Sequence, residues 1–433
     1  MKANNYRGTK WACYLTNVSM AAIGSMSPIL FTTFRELYNV SYTLLGLLTA
    51  TFFMVQLGVD LIFTFFSKKF NLRLTVMLMP LVTLAGVLVY ALMPRFFPNA
   101  AYLWIIMGTA IFAAGAGLTE VLASPVVAAI PAENKDREMS KLHSSYAWGL
   151  VAVVIVGTLL LKLVGREMWI VLPLAYSVFS AVAFILFLIS PFPDMKNGEE
   201  ETQGEGKNRT RVFSFGLLLC AFCIFLGGAS ECTMTGWISG YMEVSLGIPK
   251  IVGDICGMAL FALALSIGRT LYASRGKNIL RVMILGMIGA AVCYAVAALS
   301  PIGAVGVAAS VVTGFAVSML WPGTIILVGE KFPAAGVAAY ALMAAGGDFG
   351  ASVAPQLMGI IADRFGYSSF GLFLSEKLSM TSEVIGMRAG MLIGALFPLF
   401  GFFLLLFMKR YFSRGEKSDC IEENTKNIPS SID

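Results

Sequence analysis

Long runs of apolar residues constrain the fold of this chain more than any other feature. Residues 282–329 form 48 consecutive positions without Lys, Arg, Asp or Glu, and the runs 74–94, 168–193 and 389–408 are also uncharged. A membrane core of about 30 Å needs about 20 apolar residues in a helix. Charged residues make up 13% of the 433 residues, well below the roughly 25% of soluble domains. The sequence therefore predicts a protein that crosses a membrane several times.

We predict twelve spans, all of them helical, because a helix satisfies its own backbone in lipid and these runs are too long for barrel strands. A polar stretch at 191–212, rich in Gly and Glu, separates six spans from six. The expected fold is an all-α membrane protein with a six-helix bundle at 1–190 and a second at 213–412. Residues 191–212 are expected to be a cytoplasmic linker and residues 413–433 a disordered cytoplasmic tail.

The basic residues predict the orientation. If the N-terminus lies inside, 22 of the 31 Lys and Arg residues lie on that side, 8 lie on the other, and Arg269 lies within a span. Basic residues are enriched on the cytoplasmic side of membrane proteins. We therefore expect a multi-pass protein of the cell membrane with both termini in the cytoplasm.

The two halves share a weak internal repeat. An offset of 197 residues aligns four positions of the first half with identical residues of the second: Gly117 with Gly314, Pro125 with Pro322, Glu133 with Glu330, and Gly149 with Gly346. Repeats in the same orientation are typical of transporters built from two equivalent bundles.

Three acidic residues are predicted near the middle of their spans: Glu120, Glu231 and Asp348. Charges at membrane depth are costly and usually face a cavity. Three carboxylates without a base at the same depth disfavour one another's charged form, so at least one is expected to carry a proton or hold a cation. We predict that these acids couple a cation to function; the alternative is a protonated acid that bonds neighbouring helices.

Several polar and aromatic side chains within the spans are predicted to bind a solute. Amides and imidazole can bond hydroxyl groups, and flat rings can pack against the C–H face of a sugar. Aromatic residues in membranes also serve in packing or as interfacial anchors, so both roles stay open. The candidates are Gln56, His143, Tyr146, Trp148, Trp237, Trp321 and Gln356.

Enzymes, zinc proteins and nucleic-acid-binding proteins do not fit this sequence. A single His excludes the HExxH motif of metalloproteases, and Ala345-Gly346-Gly347-Asp348 lacks the first Gly of the intramembrane aspartyl protease motif. The Cys220-x-x-Cys223 pair has no second pair to complete a zinc site. No basic stripe suggests nucleic acid. We therefore expect no catalytic residue, no resident metal and no cofactor.

Three motifs show a resemblance to a known family. They are GAGLTEVLASPVVAAIPAE at 115–133 followed by LHSSYAWG at 142–149, GGASECTMTGWISGYM at 227–242, and the pair Gly268-Arg269. The chain resembles the major facilitator superfamily and, within it, the fucose–galactose–glucose:proton symporter group. The resemblance implies that Glu120 occupies the position of the group's membrane-embedded Glu, which is implicated in proton coupling. The group's acidic residue in span 1 is absent here, where Pro28 stands.

The expected function is secondary active transport of a small polar solute, a sugar in the first instance, by alternating access coupled to H⁺ or Na⁺. The expected partners are this solute, the ion and the lipid bilayer, with the chain as a monomer. Two alternatives remain: export of a cationic or drug-like compound, and a sensor that keeps the fold without flux. Residues 102–119 contain no Arg and span 5 no Pro, unlike drug:proton antiporters.

Overall fold

The computed structural model describes residues 6–66, 69–132, 135–193, 215–332 and 336–426. Helices make up nearly all of this part of the chain. The first half contains α1 Arg7–Tyr38, α2 Tyr42–Phe66, α3 Leu72–Phe96, α4 Ala101–Ala129, α5 Lys135–Val164 and α6 Val171–Ile189. The second half contains α7 Phe215–Leu246, α8 Lys250–Val252, α9 Leu260–Arg275, α10 Ile279–Leu299, α11 Gly303–Val317, α12 Leu320–Lys331, α13 Gly336–Phe365, α14 Ser369–Leu378, α15 Ser382–Gly394 and α16 Leu396–Lys426.

Among the described residues, eleven helical segments are long and apolar enough to cross a membrane. Several of them combine elements, among them α8 with a π-helical turn at Gly253–Ala259 and α9, α11 with α12, and α15 with the first part of α16. The 30-residue helix α13, which carries Asp348, is a further helix of spanning length. The predicted all-α membrane fold is confirmed, and these segments are consistent with the expected count of twelve.

Local sequence signals explain where several helices begin. Asn71 precedes α3 and its side chain accepts the Leu74 N–H at 3.1 Å. Ser368 precedes α14 and accepts the Gly371 N–H at 3.0 Å. Such caps satisfy N–H groups that have no partner within the helix.

The helices form two bundles joined along a shared interface. In the first half, α1 packs against α5 and α6, and α3 packs against α4. In the second half, α13 packs against α7 and α15, and α10 packs against α11. The halves meet mainly where α13 packs along α2, and where α5 contacts the π-helical turn and α9. Helix α13 belongs to the second half and lies at its interface with the first half, so its side chains can contact both bundles.

Two names describe the ends of the bundle. The face at which α1 begins is called the terminal face, and the face at which α1 ends is called the opposite face. Because successive spans alternate in direction, α7 also begins at the terminal face.

Two segments were expected outside the bundles, a linker at 191–212 and a tail at 413–433. Most of the expected linker, residues 194–212, lies outside the described residues. Helix α16 continues to Lys426, whereas a disordered tail was expected from residue 413. Residues 427–433 lie outside the described part of the chain.

Candidate functional site between the two halves

Three carboxyl groups meet where α2, α4 and α13 approach one another. One carboxylate oxygen each from Asp60, Glu120 and Asp348 lies within 4.8 Å of the other two. Asp60 and Glu120 belong to the first half, and Asp348 belongs to the second. We call these three residues the carboxylate cluster. The cluster joins the two halves through polar side chains within helices of membrane-spanning length.

The three acids differ in their contact with open space. Asp348 is 1% exposed and Asp60 is 8% exposed, whereas Glu120 is exposed. Glu120 is therefore the member of the cluster that a ligand can reach from outside.

Close helix packing places Glu120 beside α2. A Cβ atom added to Gly117 would stand 2.9 Å from the Val59 Cβ and 3.2 Å from the Gln56 carbonyl oxygen. The absence of a side chain at Gly117 thus lets α4 approach the α2 backbone. Glu120 follows three residues later on the same side of α4, where its carboxylate accepts a hydrogen bond from Gln56 Nε2.

Helix α13 also packs closely against α7 of its own half. A Cβ atom added to Gly350 would collide with the carbonyl oxygen of Phe225 in α7. On its other side, Ser352 Oγ donates to the Ala50 carbonyl of α2 at 3.2 Å. These contacts bring Asp348 to α2, where one of its carboxylate oxygens lies within 4.8 Å of an oxygen of Asp60.

Two buried oxygen atoms at the cluster have no hydrogen-bond partner among the described residues: Gln56 Oε1 and Asp348 Oδ2. Gln56 is 3% exposed, so bulk water does not supply the missing partner. Buried polar atoms without a partner are rare in folded proteins and point to a missing ligand, ion or water. The cluster therefore has unused capacity to bind a donor or a cation.

The structure does not bring Glu231 into the cluster. Arg269 Nη2 lies 3.4 Å from Glu231 Oε1, and Arg269 Nε donates to the Ser318 carbonyl at 3.1 Å. The Arg269 side chain is 43% exposed. Glu231 thus has a basic partner that the sequence analysis did not assign to it, and it differs from the unpaired acids of the cluster.

Tyr146 and His143 lie on the exposed side of α5. Tyr146 is 37% exposed and lies within electrostatic range of Glu120, Glu231 and Arg269. His143 is exposed and lies one turn nearer the terminal face. Tyr146 is thus near both the cluster and the Glu231–Arg269 pair.

The three tryptophans within the spans have different surroundings. Trp237 is 1% exposed, and its Nε1 donates to the Pro355 carbonyl at 3.1 Å. Trp321 is half-buried; a Cβ atom added to Gly347 would lie 2.5 Å from its ring, so the ring packs on α13 beside Asp348. Trp148 is 68% exposed and lies about 200° around α5 from Tyr146, so it points away from the space between the halves.

Gln356 lies nearer the opposite face than the cluster. It is half-buried, and a Cβ atom added to Gly46 of α2 would stand 3.2 Å from its Oε1. This oxygen has no hydrogen-bond partner among the described residues. Gln356 thus lies in the α2–α13 contact, two turns along α13 from Asp348.

Contacts toward the opposite face hold the halves together there. Arg35 Nη2 lies 2.8 Å from Glu383 Oε1, and Tyr42 Oη donates to the same oxygen at 2.6 Å. Arg166 of the first half pairs with Glu243 of the second. These ion pairs close the space between the halves on this side.

The sequence analysis missed Asp60 as a member of the site. The sequence does contain an indication of its role, because Asp60 follows Gln56 by four residues and therefore lies on the same face of α2. Asp60 lies near the end of its span, and only the packing of α13 against α2 brings Asp348 to it. Arg35 and Glu383 were not predicted as partners either, since they lie 348 positions apart.

The comparisons with known proteins agree with this architecture. Residues 12–280 match the sequence profile of the Major Facilitator Superfamily. The fold is similar to a bacterial homologue of the human lysosomal transporter Spinster in an inward-facing, unoccupied conformation, with TM-score 0.74, 13% identity, and coverage of 94% of this chain and 98% of the other. No curated protein sequence matches the chain.

Two further solved structures have a similar fold. The nucleoside transporter NupG gives TM-score 0.69 and 14% identity, with coverage of 94% of this chain and 100% of that chain. The E. coli fucose:proton symporter gives TM-score 0.57 and 14% identity, with coverage of 93% and 99%. At these identities the likeness concerns the fold, and the fucose symporter is one neighbour among several.

Proposed function

Because this chain belongs to the Major Facilitator Superfamily, we propose that it is a secondary active transporter that moves a small polar solute, a sugar, across the cell membrane. The observation that carries the proposal is the carboxylate cluster. In it, a carboxylate oxygen from α13 of one half lies within 4.8 Å of carboxylate oxygens from α2 and α4 of the other. A polar site shared by two bundles changes its geometry when the bundles rock. Binding at the cluster is thereby linked to alternating access.

The transport cycle couples the solute to H⁺ or Na⁺. Glu120 is the first contact for the ion, because it is the exposed acid of the cluster, and Asp348 is the deeper one. The solute occupies the space beside Tyr146, Trp321 and the Glu231–Arg269 pair. The remaining candidates, Gln56, Gln356 and His143, provide hydrogen bonds along the path. The chain acts as a monomer.

The present conformation is the inward-facing one. The ion pairs Arg35–Glu383 and Arg166–Glu243 join the halves toward the opposite face, while Glu120 and Tyr146 remain exposed. The distribution of 22 against 8 basic residues supports a cytoplasmic terminal face, so the exposed site faces the cytoplasm.

Uptake into proteoliposomes tests this function. A panel of labelled hexoses, 6-deoxyhexoses and pentoses is offered with an inward proton gradient, an inward sodium gradient and neither. The proposal expects accumulation of one sugar under one gradient only. Folded protein that moves none of these sugars under any gradient contradicts the sugar assignment.

One observation favours a second candidate function, the export of a cationic compound. Glu120 and Asp348 have no ion-pair partner among the described residues, so the cluster suits a positively charged ligand. Efflux of labelled organic cations from the same proteoliposomes tests it. Sugar accumulation without cation efflux supports sugar transport and contradicts the export of a cationic compound.

A further inference from the structure

The carboxylate cluster has the dimensions of a metal-ion site. Its three oxygen atoms are at most 4.8 Å apart, so a point exists within about 2.8 Å of all three. Calcium binds protein oxygens at about 2.3–2.6 Å in a flexible geometry, whereas magnesium requires about 2.0–2.1 Å and a near-ideal octahedron. Side-chain movements of a few tenths of an ångström therefore suffice for an ion of calcium size.

The side-chain oxygen of Gln56 is a fourth candidate ligand beside the cluster. The Gln56 amide donates to Glu120 through Nε2, and its oxygen, bonded to the same carbon, has no partner among the described residues. Gln56 is 3% exposed. Amide oxygens are common ligands of hard cations. This buried, unpartnered oxygen points to a ligand independently of the acids.

Charge favours an ion with two positive charges. No Lys or Arg among the described residues forms an ion pair with Glu120 or Asp348. An uncompensated buried charge is strongly destabilising. When Glu120 and Asp348 are ionised, one divalent ion balances their two negative charges, whereas a monovalent ion leaves one unbalanced.

We propose that Asp60, Glu120, Asp348 and the Gln56 side-chain oxygen bind one divalent metal cation of the size of Ca²⁺. Because Asp348 comes from one half and the other ligands come from the other, the bound ion holds α13 against α2 and α4. The ion stabilises the present conformation of the transporter. This role in a transport cycle rests on the proposed function, whereas the binding of the ion does not.

Binding is measured on the purified full-length chain in detergent. Equilibrium dialysis with ⁴⁵Ca²⁺ gives the stoichiometry, and thermal unfolding with calcium, magnesium, manganese or sodium chloride at matched ionic strength gives the selectivity. The wild type is expected to bind one calcium ion per chain and to gain several degrees in Tm. Glu120→Gln and Asp348→Asn are each expected to lower calcium affinity at least tenfold.

Glu330→Gln serves as the matched control, because this exposed acid at the end of α12 lies outside the cluster. Its calcium affinity is expected to equal that of the wild type. Glu120 is an exposed residue, so the Glu120→Gln variant keeps the test open if Asp348→Asn fails to fold.

Three outcomes overturn the inference. The first is a folded wild type that binds no calcium or manganese. The second is stabilisation by sodium alone, which assigns the cluster to a monovalent ion. The third is calcium binding unchanged in both cluster variants. Sugar uptake without calcium binding refutes the metal site and leaves the transport function intact. Calcium binding without any solute flux supports the metal site and contradicts the transport function.

Discussion

The side chain of Asp363 in α13 accepts the main-chain N–H of Thr43 in α2, with Oδ2 and the nitrogen 2.6 Å apart. Its other oxygen accepts the Tyr42 N–H at 3.0 Å. The first turn of a helix has N–H groups without partners in the helix. A residue of the second half thus caps a helix of the first half, and this cap breaks whenever the halves separate at the opposite face.

Replacing Asp363 by Ala is expected to weaken the closed opposite face. An N-terminal cap contributes about 1 kcal/mol, so the population of the open state should rise about fivefold. Hydrogen exchange of the Tyr42 and Thr43 amides measures the change and should become faster. Ser368→Ala, which removes the cap of α14 within one half, is the control. Equal exchange rates at α2 in all three proteins would contradict this role of Asp363.

Replacing Glu120 by Gln is expected to abolish gradient-driven accumulation. The amide keeps the size of the side chain and can still bond Gln56, but it cannot bind a coupling cation as a carboxylate does. Solute exchange in the absence of a gradient should continue in part, because it does not require the ion to be released. Counterflow and gradient-driven uptake in proteoliposomes separate the two activities. Normal accumulation by this variant removes Glu120 from coupling.

Trp237 and Trp148 are expected to differ in their effect on stability. Trp237 is buried and its ring lies 5.2 Å from Phe31 and 5.8 Å from Tyr42. Truncation of a buried Trp to Ala costs about 3–5 kcal/mol, so Trp237→Ala should lower the Tm markedly. Trp148→Ala removes an exposed ring and should leave the Tm nearly unchanged. Similar Tm values for both variants, measured in the same detergent, would refute the distinction.

Glu138 is expected to make stability depend on acid pH. Its carboxylate binds Lys10 at 2.8 Å and Lys141 at 2.7 Å at the terminal face. Hydrogen bonds from Lys10 and then Lys141 lower the pKa of Glu138 to about 2. Because the folded pKa lies below the unfolded one, this contribution is present above about pH 4.5 and is lost as the pH falls toward 2.

Glu138→Gln measures this contribution. The Tm of the variant should lie below that of the wild type at pH 7, and the difference should shrink at pH 3. Glu376→Gln, which changes an exposed acid on α14, should match the wild type at both values. A Tm difference for Glu138→Gln that is independent of pH would show that the carboxylate charge contributes nothing.

The all-helical membrane fold could be predicted from residue order alone. Whether a segment enters a membrane depends on its own apolar length, and its backbone hydrogen bonds close within the segment. For the same reason Glu120 and Asp348 were recognisable as candidates, because an acid within an apolar run is visible without knowledge of its neighbours.

The partners of these acids could not be predicted in this way. The rotation of each helix about its axis and the approach of α13 to α2 depend on contacts between residues about 300 positions apart, as with Ser352 and Ala50. Asp60 joins the cluster and Glu231 pairs with Arg269 for that reason. Trp237 likewise became a packing residue because Pro355 of α13 lies beside it.

The sequence by itself thus determined that the spans are helices and which acids lie within them, because hydropathy and backbone hydrogen bonding act within one helix. Only the tertiary structure decided which acids share a site and which face of the protein is closed. Those properties depend on contacts between side chains of different helices. Such residues lie far apart in the chain, so no local sequence pattern predicts which of them meet.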